Sequence, residues 1–241
     1  MNLILDIGNT RTKLAVFKVN DLILFENCKT KKLKKKIRKI LKKFPIKKGI
    51  ISSVAENNKK IISLLQDKIP LLVLDYQTPI PFTNKYTTPK TLGVDRIALV
   101  TAAVKEFPNK NVLIIDAGTC ITYDYVSKNK NYFGGAIAPG IKMRYKAMHQ
   151  FTKKLPLLEP KLNITKGNST ENAMHLGVIN GVFLEIEGII SKYKSKNDNL
   201  TIVLTGGDTN FLSSLLKSSI FANPNFLVKG LNYILNYNLN D

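Results

Sequence analysis

Apolar and polar positions follow strand spacing and helix spacing in turn along the whole chain. Period-two alternation and short apolar runs indicate strands, whereas apolar residues three or four positions apart indicate helices. In the first part of the chain the pattern predicts strands at 3–6, 12–18 and 22–25, a helix at 32–43, a strand at 49–54, a helix at 57–67, a strand at 70–75 and a helix at 92–106. Residues 77–89 are rich in threonine and proline, and we predict a loop there.

The pattern starts again after Pro108. It predicts strands at 111–116, 120–126 and 132–138, helices at 139–150 and 170–194, a strand at 200–204, and helices at 212–216 and 230–237. Each half opens with a three-stranded meander, and no flexible linker separates the halves. We therefore predict an α/β fold with two tandem domains, 1–108 and 109–241, which pack closely with a cleft between them.

Composition narrows the class of protein. Hydrophobic residues make up 44% of the 241 positions, which is enough for an ordinary globular core. No apolar run approaches the roughly 20 residues of a membrane helix, and the N-terminus resembles a first strand more than a signal peptide. Cys28 and Cys120 lack a metal-binding spacing, and they predict reduced thiols in a cytoplasmic protein. His149 and His175 are isolated, which favours packing or surface roles.

The formal net charge of +20 raises the question of an anionic partner. The densest basic run, residues 29–43, places Leu33, Ile37 and Ile40 at helical spacing. We predict a helix with one buried face and a solvated lysine face, and a nucleic-acid or membrane patch is the alternative. A positive field would also favour the capture of anionic substrates such as ATP.

Two similar segments carry the candidate chemistry. One runs from Asp6 to Lys13 and the other from Asp116 to Thr122, and in each an acid ends a predicted strand before a glycine turn and hydroxyl residues. Glycine lets backbone N–H groups approach an anion closely, and threonine hydroxyls donate to phosphate oxygens. The acid can reach phosphate through a divalent cation, because both are hard oxygen ligands. Two copies, one at the start of each half, favour paired phosphate sites over ordinary strand turns.

Three further segments have two interpretations each. Asp95, followed by Arg96 at the start of a predicted helix, is either a general base beside a cation or an acid that favours the helix N-terminus. The glycine pair in TGGD at 205–208 can let a base or ribose lie against the backbone. The glycines of GGAIAPG at 134–140 bring backbone close either to a substrate or to a neighbouring helix.

These segments resemble a known family. The paired loops resemble the acetate and sugar kinase/Hsp70/actin superfamily, whose two tandem domains each have a ribonuclease-H-like (actin-like ATPase) fold. Within it, the chain resembles the type III pantothenate kinases in DIGNTRTK from Asp6, Tyr86 with GVDR from Gly93, DAGTCITYD from Asp116, GGAIAPG from Gly134 and TENAM from Thr170. Together with TGGD, these signatures cover nearly the whole chain.

The resemblance implies ATP-dependent phosphorylation of pantothenate, the first step of coenzyme A biosynthesis, with Asp95 as the proton acceptor. It implies that ATP is bound by Asp6, Ile7, Gly8, Asn9, Thr10, Arg11, Thr12, Lys13 and Thr119. It implies that pantothenate is bound by Tyr86, Gly93, Val94, Asp95, Arg96 and Thr170.

The resemblance also separates the two acids that begin the loops. It implies that Asp116 binds a monovalent cation, potassium or ammonium, whereas Mg²⁺ accompanies ATP near Asp6. A homodimer is expected, and neither a membrane nor nucleic acid is an expected partner. Two rival hypotheses stay open here: an accessory transcription factor on the same scaffold, and a kinase for another small-molecule acceptor.

Overall fold

The computed structural model describes residues 1–8, 11–53, 59–216 and 219–239. Its contacts divide the chain into two compact units. Unit 1 comprises Met1–Pro108, Lys130–Tyr132 and Asn225–Asp241, and unit 2 comprises Asn109–Asn129 and Phe133–Pro224. The main division falls at Pro108, but the C-terminal segment packs in unit 1. The assignment of tandem domains to 1–108 and 109–241 stays a prediction.

Strands and helices alternate along the described residues much as the pattern predicts. The strands are β1 (Asn2–Ile7), β2 (Arg11–Lys18), β3 (Asp21–Lys29), β4 (Lys48–Ser53), β5 (Leu71–Val73), β6 (Thr83–Asn84), β7 (Val112–Ala117), β8 (Cys120–Val126), β9 (Asn131–Pro139), β10 (Thr201–Thr205) and β11 (Phe221–Ala222). The α-helices are α1 (Leu33–Lys43), α2 (Lys59–Gln66), α3 (Val94–Glu106), α4 (Ile141–Phe151), α5 (Thr170–Lys194), α6 (Thr209–Ser213) and α7 (Phe226–Asn238).

The sheet of unit 1 has the strand order β3-β2-β1-β4-β5. β1, β2 and β3 form the predicted antiparallel meander, and β4 and β5 continue the sheet in parallel. Alternate residues of β1 point to opposite faces. Leu3, Leu5 and Ile7 pack with the buried side chains of α1 and α2, whereas Asn2 lies on the opposite face and donates to Asn232 of α7.

The C-terminal helix joins unit 1 because it packs closely against α3. A Cβ atom at Gly230 of α7 would clash with the backbone carbonyl of Ala98, so the two helices approach to backbone distance only with glycine there. Lys229 and Tyr233 of α7 both bind the carboxylate of Glu106 at the end of α3. Periodicity alone predicts that this helix exists but not which sheet it covers.

Unit 2 repeats the strand order of unit 1. Strands β9-β8-β7-β10-β11 repeat that order, with β7 and β8 antiparallel and with β10 and β11 parallel to β7. The short strand β6 is the sixth strand of this sheet and pairs in parallel with Asn131 and Tyr132 at the start of β9. The equivalent strands are β1 and β7, each of which has a candidate acid, Asp6 or Asp116, as its second-last residue. The core of unit 2 lies between this sheet and the apolar sides of α4 and α5.

Several predicted bounds differ from the structure; α7, for example, was predicted to begin at 230 and begins at Phe226. The two-residue strands β6 and β11 were not predicted, because so short a segment has no detectable period. The helix predicted at 212–216 is α6, which starts earlier, at Thr209. The predicted strand end at residue 54 and helix start at 57–58 lie outside the described residues.

Helix α5 is long and apolar enough to span a membrane by length and composition, and it is the one such helix among the described residues. In its most apolar stretch 39% of the residues are buried. Its buried side chains recur three or four positions apart and belong to the core of unit 2, as expected of an amphipathic helix that covers a sheet.

Candidate functional site

The carboxylate of Asp6 lies at the end of β1 between side chains from both neighbouring strands. Lys13 is opposite Asp6 in β2, and its Nζ is 3.4 Å from Asp6 Oδ2. Ser52 is beside Asp6 in β4, and its hydroxyl donates to Asp6 Oδ1 at 3.3 Å. Sequence analysis missed Ser52. The available signal was a small polar residue at the end of the strand that pairs in parallel with β1.

Burial raises the pKa of Asp6 above its ordinary value of 3.8, although the nearby Lys13 ammonium acts in the opposite direction. The negative charge of Asp95 contributes to the increase in this pKa. Two carboxylates far apart in sequence therefore interact electrostatically within unit 1. Such a pair is stabilised when a cation neutralises it.

The other predicted ATP-binding residues differ in how they can contribute. The Gly8 amide donates to the Arg11 carbonyl at 3.1 Å, which closes the turn between β1 and β2. Ile7 and Thr12 are buried, and by strand alternation they lie on the face opposite Asp6 and Lys13. The Thr12 hydroxyl has no hydrogen-bond partner among the described residues. Two predicted residues, Asn9 and Thr10, lie outside the described residues.

Asp95 is held in place by the first turn of α3. Its Oδ1 atom accepts a hydrogen bond from the backbone N–H of Arg96 at 2.8 Å, and the side chain is half-buried. Gly93 occupies the N-cap position without a side-chain cap. A Cβ atom at Gly93 would clash with Asp95 Oδ1. The glycine therefore makes room for the carboxylate in this conformation.

We expect Gly93→Ala to lower kcat by roughly 10²-fold, because displacement of a reacting group by about 1 Å can have that effect. The backbone at Gly93 has φ −58°, which alanine adopts without strain, so the substitution should act on the Asp95 side chain and not on folding. Steady-state kinetics together with thermal denaturation would measure both effects.

Gly188→Ala is a matched control for Gly93→Ala. A Cβ atom at Gly188 in α5 would meet nothing within 4 Å. This variant should keep normal kcat and gain roughly 0.5–1 kcal/mol in unfolding free energy from helix propensity. Normal kcat in Gly93→Ala would show that the position of the Asp95 carboxylate is not critical.

Two predicted substrate residues, Tyr86 and Arg96, contact each other in unit 1. The guanidinium carbon of Arg96 is 5.5 Å from the centre of the Tyr86 ring, within cation–π range. Tyr86 also stacks on Tyr132, with ring centres 6.3 Å apart and planes 13° apart. Arg96 is only 4% exposed. The buried cation and the stacked ring therefore form a preorganised surface beside Asp95.

In unit 2, the loop after Asp116 is held by the TGGD turn. Gly206 has φ +98°, and a Cβ atom there would clash with Asp116 Oδ1 and the Ala117 carbonyl. The Asp208 amide donates to that same Ala117 carbonyl at 3.0 Å. The first glycine of the pair thus serves close packing on the acid loop, whereas Gly207 has open space at its Cβ position.

The GGAIAPG glycines lie against β8 and the second loop. A Cβ atom at Gly135 would clash with the Tyr123 carbonyl, and one at Gly140 would clash with the carbonyls of Gly118 and Thr119. The Gly140 amide also donates to the Thr119 carbonyl at 3.1 Å. These contacts are with a strand and a loop rather than with the neighbouring helix. They determine the backbone position of Thr119.

The surroundings of Asp116 offer oxygen ligands. Thr122 of β8 is in register with Asp116, and its buried hydroxyl oxygen has no hydrogen-bond partner among the described residues. No group of three or more His, Cys, Asp or Glu side chains that could hold a metal ion occurs in the described part of the chain. One carboxylate with a hydroxyl oxygen is a donor set that suits a weakly held, hard cation.

Thr170 is the first residue of α5 in unit 2. The side chain of the preceding residue, Ser169, caps the helix by accepting from the Asn172 amide at 3.2 Å. Thr170 is exposed, and it lies next to the backbone N–H groups of the first turn of α5.

A family model described as type III pantothenate kinase matches residues 2–192. The chain belongs to the type III pantothenate kinase family. The type III pantothenate kinase of Christiangramia forsetii is 50% identical to it over 240 residues, which is 99% of each chain. That of Flavobacterium psychrophilum is 46% identical over 98% of this chain and 99% of its own.

As a type III pantothenate kinase, the chain uses ATP with a divalent metal and phosphorylates pantothenate, the first step of coenzyme A biosynthesis. The function and substrates predicted from the signatures are confirmed at the level of the family. The rival hypothesis of a transcription factor is not favoured.

Similar solved structures confirm the actin-like fold. A Campylobacter jejuni protein assigned to a Baf family of transcriptional activators has a TM-score of 0.64 at 23% identity, with 98% of both chains covered. A glucokinase from an Antarctic psychrotroph has a TM-score of 0.53 at 12% identity, again with 98% of both chains covered. At these identities the likeness shows the fold alone.

Proposed function

We propose that Asp95 accepts the proton of the pantothenate hydroxyl as that oxygen attacks the terminal phosphorus of ATP. The observation that carries this assignment is the hydrogen bond from the Arg96 amide to Asp95 Oδ1. It orients the carboxylate and leaves Oδ2 as the oxygen for the substrate. A general base must lie within hydrogen-bond reach of the proton that it removes. Phosphoryl transfer otherwise depends mostly on positioning and charge neutralisation.

The first loop would bind the ATP phosphates through backbone amides and Lys13. Mg²⁺ usually takes one or two carboxylates and completes its shell with water and phosphate oxygens, so the half-buried Asp6 carboxylate at the end of β1 fits it. The metal would neutralise charge on the transferred phosphoryl group. Lys13, which pairs with Asp6 in the structure, would then be able to turn towards phosphate. Ser52 would keep Asp6 oriented.

On the substrate side, Tyr86 and Arg96 support pantothenate binding. Arg96 carries the positive charge that a carboxylate substrate needs, and its stacking on Tyr86 restricts its position. Gly93 and Val94 would contribute the backbone at the start of α3. Thr170 would contribute its hydroxyl and the amides at the start of α5. We propose these five residues, together with Asp95, as the pantothenate-binding set.

In the second loop, Thr119 would contact ATP and Asp116 would bind potassium or ammonium. The fit of the cation rests on Asp116 and on the buried Thr122 hydroxyl opposite it. Sequence analysis did not single out Thr122 as a ligand. We also propose a homodimer and a cytoplasmic location, as the resemblance and the cysteine usage imply.

The test of this function is a spectrophotometric assay of purified protein with ATP, Mg²⁺ and pantothenate, with and without potassium. We expect phosphopantothenate to form and ADP to appear in equal amounts. ADP formation that does not depend on pantothenate, or that requires a different alcohol, would reject pantothenate as the acceptor. Size-exclusion chromatography with light scattering would test the homodimer.

The cation assignment predicts that Asp116→Asn loses most of its activation by potassium. Removal of one electrostatic contact in a site typically changes the rate by roughly 10²-fold or more. The measurement is kcat as a function of potassium concentration, with sodium used to keep ionic strength constant. Thr122→Val, which keeps shape but removes the hydroxyl, should shift the activation to higher potassium concentration. Unchanged potassium dependence in both variants would place the cation elsewhere.

A further inference from the structure

A cavity of about 730 Å³ lies in unit 1 at the end of the sheet opposite Asp6. It is formed by the start of β1, the turn between β2 and β3, the start of β4, the end of α3 and one side of α7. The described residues that line it are Met1, Asn2, Lys18, Val19, Asn20, Lys47, Lys48, Lys105, Tyr233, Asn236 and Tyr237. This volume is in the range of small-molecule sites, roughly 300–1,000 Å³.

We call this the lysine cavity, because every charged side chain among its described lining residues is a lysine. Four lysines line it, and none of its described lining residues is acidic. Lys18, Lys47 and Lys105 form no ion pair with another described residue. Lys48 is only 8% exposed, and its ammonium donates to the Leu239 carbonyl. Concentration of like charge in a concave surface raises the local concentration of anions.

Tyr233, which lines the lysine cavity, reaches a carboxylate that is already neutralised. Tyr233 donates its hydroxyl to Glu106, and Lys229 pairs with the same carboxylate at 3.2 Å. Burial and the neighbouring Glu106 raise the pKa of Tyr233, so the phenol stays neutral at physiological pH. Lys18, Lys47 and Lys105 therefore have no counter-ion among the described residues that line the lysine cavity.

The backbone at the rim of the lysine cavity is strained. Val19 has φ +57°, which is unfavourable for a β-branched residue, and its side chain is 72% exposed. Its carbonyl accepts from the side-chain amide of Asn232 in α7, at 2.9 Å. The hydrogen bond holds the turn with Lys18 and Asn20 against the helix. Strain of this kind persists where surrounding structure requires it, often at ligand sites.

The lysine cavity is separate from the catalytic residues. Asp95 begins α3 and Lys105 lies near its end, which is about 15 Å at about 1.5 Å per residue. Asn2 and Asp6 lie at opposite ends of β1. A ligand in the lysine cavity would contact both α3 and α7 without reaching Asp95.

We propose that the lysine cavity binds the di- or triphosphate group of a small molecule, at a second site distinct from that for substrate ATP. Lysine ammonium groups bind phosphate as mobile point charges. The ring of Tyr237, which is 48% exposed at the same cavity, offers a surface on which a nucleotide base can stack. Inorganic polyphosphate and a nucleotide are the two candidate ligands, and both carry the phosphate groups that the lysines would bind.

The experiment is isothermal titration of inorganic tripolyphosphate into the nucleotide-free enzyme. The ATP site also takes phosphate groups, so we expect the wild type to bind two tripolyphosphate ions per chain, the second of them in the lysine cavity. We expect Lys18→Gln with Lys105→Gln to weaken this binding by roughly tenfold or more, since hydrogen bonds to charged groups are the strong ones. Pantothenate kinase activity should stay normal, because neither lysine contacts the proposed catalytic residues.

Lys31→Gln with Lys34→Gln is the matched control. Both lysines are exposed at α1 or just before it and line none of the cavities described for this chain. Each double variant lowers the formal net charge by the same two units, from +20. The control should bind tripolyphosphate with roughly the wild-type affinity, because the effect of distant exposed charges is screened by salt. Equal weakening in both double variants, or a single tripolyphosphate site per chain in the wild-type enzyme, would overturn the proposal.

A second arm distinguishes the two sources of phosphate. GTP is titrated into the nucleotide-free wild-type enzyme and into Tyr237→Leu, alongside tripolyphosphate. If Tyr237→Leu weakens GTP binding alone, the ligand is a nucleotide whose base stacks on the ring. If both probes bind Tyr237→Leu as they bind the wild type, the site takes the phosphate groups alone. If the wild-type enzyme lacks pantothenate kinase activity but binds tripolyphosphate as expected, the proposed catalytic assignments are contradicted and the lysine cavity proposal is not.

Discussion

Asp95→Asn is expected to lower kcat for pantothenate phosphorylation by roughly 10²–10⁴-fold, the range for loss of a general base. Asparagine keeps the size of the side chain and an oxygen that can accept from the Arg96 amide, so the start of α3 should be preserved. What is lost is the proton acceptor. Steady-state kinetics with varied ATP and varied pantothenate would show a fall in kcat with little change in either KM.

Asp67→Asn provides the comparison for this variant. Asp67 is exposed just after α2, so the substitution removes the same charge from the same unit without touching the site. Its kcat should stay near the wild-type value, because the substitution leaves the site unchanged. The fold should be preserved as well, since exposed substitutions of this kind change stability by only about 0.5 kcal/mol. Near-normal kcat in Asp95→Asn would show that Asp95 is not the general base. The remaining role of its carboxylate would be the favourable interaction of an acid with the helix N-terminus.

The second large effect is expected from Asp6→Asn, which should abolish most activity and at the same time stabilise the protein without ligand. Loss of the carboxylate that fits Mg²⁺ should cost roughly 10²-fold or more in kcat. The gain in stability follows from the raised pKa of Asp6, whose main cause is burial. The ionised carboxylate is less favourable in the folded state than in the unfolded chain.

The sign of this effect determines its pH dependence. Because the folded protein holds the Asp6 proton more tightly, stability falls as pH rises from the ordinary value of 3.8 through the raised pKa. Above that range the full cost is present, so Asp6→Asn should have the higher Tm at neutral pH. Each 1 kcal/mol corresponds to roughly 2–4 °C for a chain of this size. Below pH 3.8 the difference from Asp6 should disappear, because the residue is then neutral in both states.

Differential scanning calorimetry of wild type, Asp6→Asn and Asp67→Asn across this pH range would measure the effect. Asp67→Asn serves here to subtract the general effect of one fewer negative charge on a highly cationic chain. A Tm for Asp6→Asn at or below that of the control at neutral pH would show that Lys13 and Ser52 fully compensate the buried carboxylate. Saturating ATP with Mg²⁺ should raise the Tm of the wild type more than that of Asp6→Asn.

Much of the fold could be read from residue pattern because the two meanders have clear alternation. The strand 120–126 and the helix 170–194 were predicted with the bounds that the structure gives. Prediction was less accurate where an element is short, as for β6, β11 and the start of α6. The prediction for α7 was also incomplete, because periodicity shows which face of a helix is buried but not which element packs against that face.

The glycine-rich signatures show where local reasoning ends. Sequence indicated that backbone comes close to something at Gly135, Gly140 and Gly206. The structure identifies the neighbours as the Tyr123 carbonyl, the loop of Thr119 and the Asp116 carboxylate. All three contacts join segments that are distant along the chain, so no spacing rule could have predicted them.

The chemistry of this protein is largely determined along the chain, because the acid, glycine, hydroxyl and lysine residues that suit phosphate occur as short contiguous segments. The residue pattern of those segments is sufficient to propose Asp6, Asp95 and Asp116 as site residues. Tertiary structure alone decided the environment of each acid. Strand pairing placed Lys13 and Ser52 beside Asp6 and Thr122 beside Asp116, and it turned the Thr12 hydroxyl to the opposite face. Burial and charge, which set the pKa of a side chain, depend on such neighbours and not on sequence distance.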